Sequence, residues 1–198
     1  MNELDHPGRP LIRKASALHG KFLSFRNASE TDAKFILSLR TNSAKSRYLS
    51  TTSADIEAQK SWLQGYARAG DQAYFIIQAA EKHIGTVRLY DVQEDSFCWG
   101  SWILTVDAPV TAAIESALMV YSYAVDHLGF QKAHFDVRKG NESVWKFHER
   151  FGALRTHETE EDFVYQISLA AINQARNRYA KFLPNGVSVS GSLPDMNI

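Results

Sequence analysis

The densest run of chemistry-bearing side chains is Phe135-Asp-Val-Arg-Lys-Gly-Asn-Glu-Ser-Val-Trp-Lys-Phe-His-Glu-Arg-Phe-Gly-Ala153. Asp136 offers a carboxylate that can draw a proton from an acceptor, and His148 an imidazole that can carry one near neutral pH. Each also has a plainer use. Asp136 can pair with Arg138 or Lys139, and a helix histidine can simply pack or bond a carbonyl. Asn141 opens the helix and can cap its free N–H groups. A second opportunity lies at Asp107-Ala-Pro-Val-Thr-Ala-Ala-Ile-Glu115, where a helix begins. There the amides of Val110, Thr111, Ala112 and Ala113 can face an anion such as a phosphate, although the loop has no glycine, Pro109 lacks a donor and Asp107 is repulsive. The plain alternative is a helix start that holds nothing.

Arg40, Arg47, Tyr48, Trp62, Arg88 and Tyr90 offer cationic forks and aromatic faces that suit a phosphate-bearing acceptor, though any one of the cations can equally be solvated surface charge. Trp99 and Trp102, separated by two residues, are expected to share one face, to stack on a ligand or to fill the sheet. Gly100 between them marks a bulge or a close backbone approach. The single cysteine, Cys98, reads as a small buried hydrophobe rather than a nucleophile, and one cysteine excludes an internal disulfide. The seven histidines are scattered, so no metal site is expected.

These groups need a scaffold. A first strand is expected over Lys21–Arg26, and Ser29 before Glu30, Thr31 and Asp32 signals a helix start. A second helix opens at Ser53 or Asp55 and ends near Gly70. Three strands, Ala73–Gln78, His83–Tyr90 and Phe97–Leu104, should form an antiparallel meander. The longest helix follows, with Pro109 in its first turn and Gly129 at its C-terminal end. Ala133–Arg138 alternates strictly and should lie parallel to the Phe97 strand after a right-handed crossover. A helix over Glu142–Arg150, two more strands and a helix over 170–182 complete an α+β layered fold with a mostly antiparallel sheet. The expected division is a polar leader over 1–18, one domain over 19–170, a helix over 171–183 and a flexible tail over 184–198.

The segment ending at Ala153 resembles the strand-five and helix-four motif of the GCN5-related N-acetyltransferase family. Val137, Asn141, Val144, Phe147, His148 and Gly152-Ala153 stand at that motif's places. The element order agrees over roughly residues 20 to 170. This resemblance implies direct acetyl transfer from acetyl-CoA to a primary amine, on a central sheet splayed at the CoA site. It implies that Ile103, Leu104 and Thr105 pair main chain with pantetheine, and that Val110 to Ala113 cradle the diphosphate. It further implies that Asn141 and Val144 lie beside the cofactor. His148, where the family has tyrosine, would protonate the leaving thiolate as an imidazolium, and Asp136 would take the amine proton through water. The layout looks like the amino-sugar branch, which puts Arg40, Arg47, Tyr48, Arg88, Trp99 and Trp102 on the acceptor side and favours a nucleotide-linked amino sugar. A protein or peptide amine acetyltransferase, or a non-catalytic binding protein with a degenerate CoA loop, are the other readings.

Composition rules out wholesale disorder and narrows the partners. The 198 residues are 44% hydrophobic, enough for a substantial core. Lys+Arg and Asp+Glu are both 22, so the net charge of +0 argues against nucleic acid as partner. No apolar run approaches the roughly 20 residues of a membrane helix. A cytoplasmic monomer or homodimer is expected.

Overall fold

The structure is a computed structural model in which residues 8–41, 48 and 54–192 are described. Strands β1 (Ala15–His19) and β2 (Leu23–Asn27) lead through a single 3-10 turn into helix α1 (Ala33–Thr41) and then α2 (Ile56–Arg68). Both helix entries are capped as their sequences dictate. The Ser29 and Asp32 side chains form a capping box, and the Asp55 carboxylate accepts from the N–H groups of Glu57 and Ala58. The meander follows as β3 (Ala73–Ala79), β4 (Lys82–Gln93) and β5 (Ser96–Leu104). Helix α3 (Ala112–Ser122) winds on as a π-turn to His127. Then come β6 (Lys132–Arg138), α4 (Glu142–Arg150), β7 (Leu154–Glu158), β8 (Asp162–Ser168), α5 (Leu169–Arg178) and β9 (Ser188–Ser192).

The nine strands form one sheet in the order β7-β8-β6-β5-β4-β3-β2-β1-β9, and only β5 and β6 run parallel. The main core, on the side of α3, gathers Phe25, Phe75, Phe97, Tyr121 and Phe130. A smaller cluster with Ile36, Leu63, Tyr66 and Tyr74 packs α1 and α2 on the sheet. β3 is covered on both faces, which is why Ala73–Ile77 is an unbroken buried run. α3 is buried nearly all round, and its Glu115, 0% exposed, accepts from the N–H groups of Phe22 and Leu23 at 2.7 and 2.9 Å. Among the described residues, no helix is long and apolar enough to cross a membrane.

Two flanking segments differ from expectation. The leader expected to run through residue 18 gives way at Ala15 to β1, with Ile12, Ala15 and Leu18 buried. The tail expected to be flexible contributes β9, paired from Ser188 to Ser192 with β1. Neither strand carries a clean apolar alternation. Their order comes from main-chain pairing with each other and with β2 rather than from side-chain pattern.

The feature that matters for chemistry is where β5 and β6 stop pairing. They are bonded only over Ser96–Cys98 and Lys132–His134. Beyond that, β5 stays with β4 to Leu104 and β6 stays with β8 to Arg138. A gap therefore opens between Trp99 and Phe135.

Candidate active site

A cleft of about 270 Å³ occupies that gap. β5 supplies Trp99, Gly100 and Trp102 to its walls, β6 supplies Asp136, and α4 supplies Asn141, Val144 and His148. Arg40, near the end of α1, and Tyr48 complete its lining. These nine residues, all singled out from sequence, are thus brought together from segments as much as a hundred residues apart. Arg47 lies outside the described residues.

The wall formed by β5 is shaped by a bulge. Arg88 pairs with Gly100 and Thr86 with Ile103, so three steps on β5 match two on β4. Ser101 takes the strain with φ +47°, and its carbonyl accepts from the Thr86 hydroxyl at 2.8 Å. In a regular strand, residues three apart point to opposite faces. The extra residue restores Trp99 and Trp102 to one side, with ring centroids 5.4 Å apart. Trp99 is 3% exposed and belongs to the core, whereas Trp102 is half-buried and its Nε1–H donates to Ser116 at 3.1 Å. Gly100 is needed for space: a Cβ there would come within 3.0 Å of the Tyr90 hydroxyl.

Asp136 is exposed on the cleft wall. The ion pairs that its neighbours could have made with it go elsewhere. Arg138 pairs with Glu161 and Asp162, and Lys139 with Glu158. Asn141 opens α4 without using its side chain as a cap, so its amide remains on the cleft side.

His148 is caged. Phe135 lies 4.2 Å away, Trp99 5.2 Å, Phe147 5.7 Å and Trp102 6.1 Å, centroid to centroid. Burial in this apolar shell pushes its pKa down to about 3. The imidazolium acid expected from sequence is therefore replaced by a neutral ring at physiological pH. Its Nδ1 is sealed and has no hydrogen-bond partner in the protein, although the ring borders the cleft.

The other residues tied to the cofactor lie further along β5 and at the start of α3, outside the cleft lining. Ile103 is 4% exposed and Leu104 half-buried, opposite Thr86 and Gly85. Thr105 already donates its N–H to Ile84 at 2.8 Å. Val110 is 98% exposed. Ala112 N–H is bonded to the Pro109 carbonyl at 2.8 Å, while Thr111 makes no side-chain cap and Ala113 is half-buried. Sequence reasoning missed Lys82. From the β3–β4 hairpin it pairs with Asp107 and holds that carboxyl at about 2. No local signal links residues 25 apart across two strands. Arg88 sits one strand over from the cleft, in register with Gly100.

Comparison with known proteins finds the chain similar to acetyltransferases of one family. The profile of the Acetyltransferase (GNAT) domain matches residues 23–154. FdhC in its apo form, a nucleotide-linked sugar GNAT, is similar at 37% identity and TM-score 0.75, over 87% of this chain and 99% of that one. A GCN5-related N-acetyltransferase from Brucella melitensis shares the fold at 16% identity and TM-score 0.71, over 88% and 89% of the two chains. A probable GNAT-family acetyltransferase from Chromobacterium violaceum does so at 16% and 0.69, over 87% and 96%. No curated protein matches the chain.

Proposed function

The chain belongs to the GNAT acetyltransferase family and is an N-acetyltransferase, and from that premise we propose that it acetylates the amino group of a nucleotide-linked sugar with acetyl-CoA as donor. One observation carries the reading: Asp136, Asn141 and His148 converge on the gap where β5 and β6 part.

The residues present fit acetyl-CoA as the donor substrate. Past Cys98, the β5 edge that faces β6 has no ladder partner, so its main chain is available to the amides of a pantetheine arm. α3 begins without a side-chain cap, which leaves the Ala113 and Ile114 amides for the diphosphate despite the missing glycines. Lys82 cancels the charge of Asp107 beside that helix start.

Within the cleft, Asp136 takes the proton of the acceptor ammonium through water, and the freed lone pair attacks the thioester carbon. The charge gathering on the carbonyl oxygen meets main chain at the β5 bulge, whose extra residue lies outside the ladder. When the C–S bond breaks, the nitrogen sheds its second proton and the sulfur takes one up. His148 hydrogen-bonds at this step as a neutral ring and does not titrate. The likeness to a nucleotide-linked sugar GNAT supports the acceptor class, as do the Arg40 and Tyr48 side chains on the open side.

The test is release of free thiol from acetyl-CoA with nucleotide-linked amino sugars, compared with free amino sugars and amino-terminal peptides. The reading expects a kcat/KM at least a hundredfold higher for a nucleotide-linked acceptor. A preference for peptides would overturn it.

A further inference from the structure

Arg88 lies at the edge of the site in an unusual setting. Its guanidinium carbon sits 4.7 Å from the ring centre of Tyr90 and 5.2 Å from that of Trp62. The side chain is half-buried, and its Nε is sealed without a hydrogen-bond partner. Among the described residues, no carboxylate makes an ion pair with it. Burial foremost lowers its pKa; Tyr90, Tyr74 and Asp71 oppose that only through space, and the positive charge of Arg40 adds to it.

A cation partly withdrawn from water without a counterion is costly, and buried charges are ordinarily paired. Two aromatic faces soften that cost by their quadrupoles but leave the N–H donors of the fork unanswered. An anion arriving here would meet a preoriented guanidinium with a second cation nearby. The position is apt. Arg88 is in register with Gly100 on the cleft wall, and Asp136 stands on the next strand over. Arg88 and Asp136 therefore flank β5 from either side, with the opened gap between β5 and β6 lying between them. An acceptor whose amine sits at Asp136 can thus extend its phosphate across β5 toward the Arg88 fork.

We propose that Arg88, held between Trp62 and Tyr90, binds a phosphate of the acceptor's nucleotide and so sets the preference for carrier-linked over free amino sugars. The proposal rests on the acceptor reading given above, and it assigns Arg88 to recognition rather than to chemistry. The exposed part of Trp62, 40% of its surface, continues the same wall outward from the fork.

The experiment uses the full chain with its CoA site saturated, so that added nucleotide cannot bind where the coenzyme's own diphosphate goes. Thymidine diphosphate is titrated calorimetrically into wild type, R88Q and R88K, and kinetics are run in parallel with a nucleotide-linked and a free amino sugar. R88Q should weaken thymidine diphosphate roughly tenfold to a hundredfold, the value of hydrogen bonds to a charged group. KM for the nucleotide-linked acceptor should rise in step, while kcat and the affinity for acetyl-CoA stay within threefold, which also verifies the fold. R88K, with charge but no fork, should fall between. Unchanged diphosphate affinity in R88Q overturns the proposal, as does an equal rise in KM for the phosphate-free sugar. If diphosphate binding depends on Arg88 yet no nucleotide-linked sugar is acetylated, the acceptor reading falls and the anion site stands. If such sugars are acetylated equally by R88Q, the acceptor reading stands and the role of Arg88 falls.

Discussion

The imidazole of His148 and the ring of Phe135 lie 4.2 Å apart, a contact that leaves the histidine no room for a hydrated charge. Its pKa of about 3, against 6.5 for a free histidine, follows from that burial. In the unfolded chain the ring binds its proton below pH 6.5, and in the folded chain only near pH 3. Folding stability from this group is therefore complete above pH 6.5 and is lost on acidification, by at most ~1.4 kcal/mol per pH unit. His148→Phe should flatten that slope in denaturant titrations at pH 4–7. It should leave stability at pH 7 equal or raised by about 1 kcal/mol, because a buried unpartnered nitrogen is removed. Turnover should fall at least tenfold while acetyl-CoA affinity holds. Unchanged turnover would strike His148 from the chemistry.

Asp136→Asn removes the group assigned to deprotonate the acceptor. General-base contributions typically span 10² to 10⁴ in rate, so kcat should fall about a hundredfold or more near pH 7. The deficit should shrink as pH rises toward the acceptor's own pKa, since the amine then arrives neutral. Equal loss at every pH would point to positioning instead.

The meander and the β5–α3–β6 crossover were legible in the sequence because period-two and helical patterns act locally. Asn141, Val144 and His148 were legible as a helix face. The charge state of His148 was not, because Phe135 and Trp99 reach it from β6 and β5 rather than from its own helix. The Trp99–Trp102 pair was expected on one face, yet the cause is the bulge at Ser101, which depends on pairing with β4. Strands β1 and β9 escaped notice because serine and alanine carry no apolar alternation. Such features live in pairings between distant segments, which no window along the chain contains.

The Lys82–Asp107 pair makes a further case. With Lys82→Ala, the Asp107 carboxylate stands uncompensated near the start of α3, the site proposed for the coenzyme's diphosphate. Both side chains are largely exposed, so the effect should be modest: about a threefold weaker acetyl-CoA affinity at low salt, fading by 0.5 M salt. Adding Asp107→Asn should restore binding. Calorimetry on the single and double variants decides it, and a single variant as tight as wild type would show that the pair does not touch the coenzyme.

Gly85 faces Leu104 at the mouth of the gap, and a Cβ there would lie 2.3 Å from the Ile103 carbonyl oxygen. Main chain cannot yield as a side chain can, so Gly85→Ala should wedge β4 from β5. A loss of about 3 kcal/mol in chemical denaturation is expected. KM for acetyl-CoA should rise alongside, because β5 is the wall proposed for the coenzyme.

The pairing of β9 with β1 has a practical corollary for anyone who shortens or fuses this polypeptide. Ser188, Ser190 and Ser192, with Gly191, form a hydrophilic hem along one border of the sheet. Trimming that hem would bare the hydrogen-bonding edge of Ala15–His19, a ribbon onto which other copies can zip. Shortened versions should accordingly clump on purification, long before anything goes wrong at the acetyl-transfer cleft.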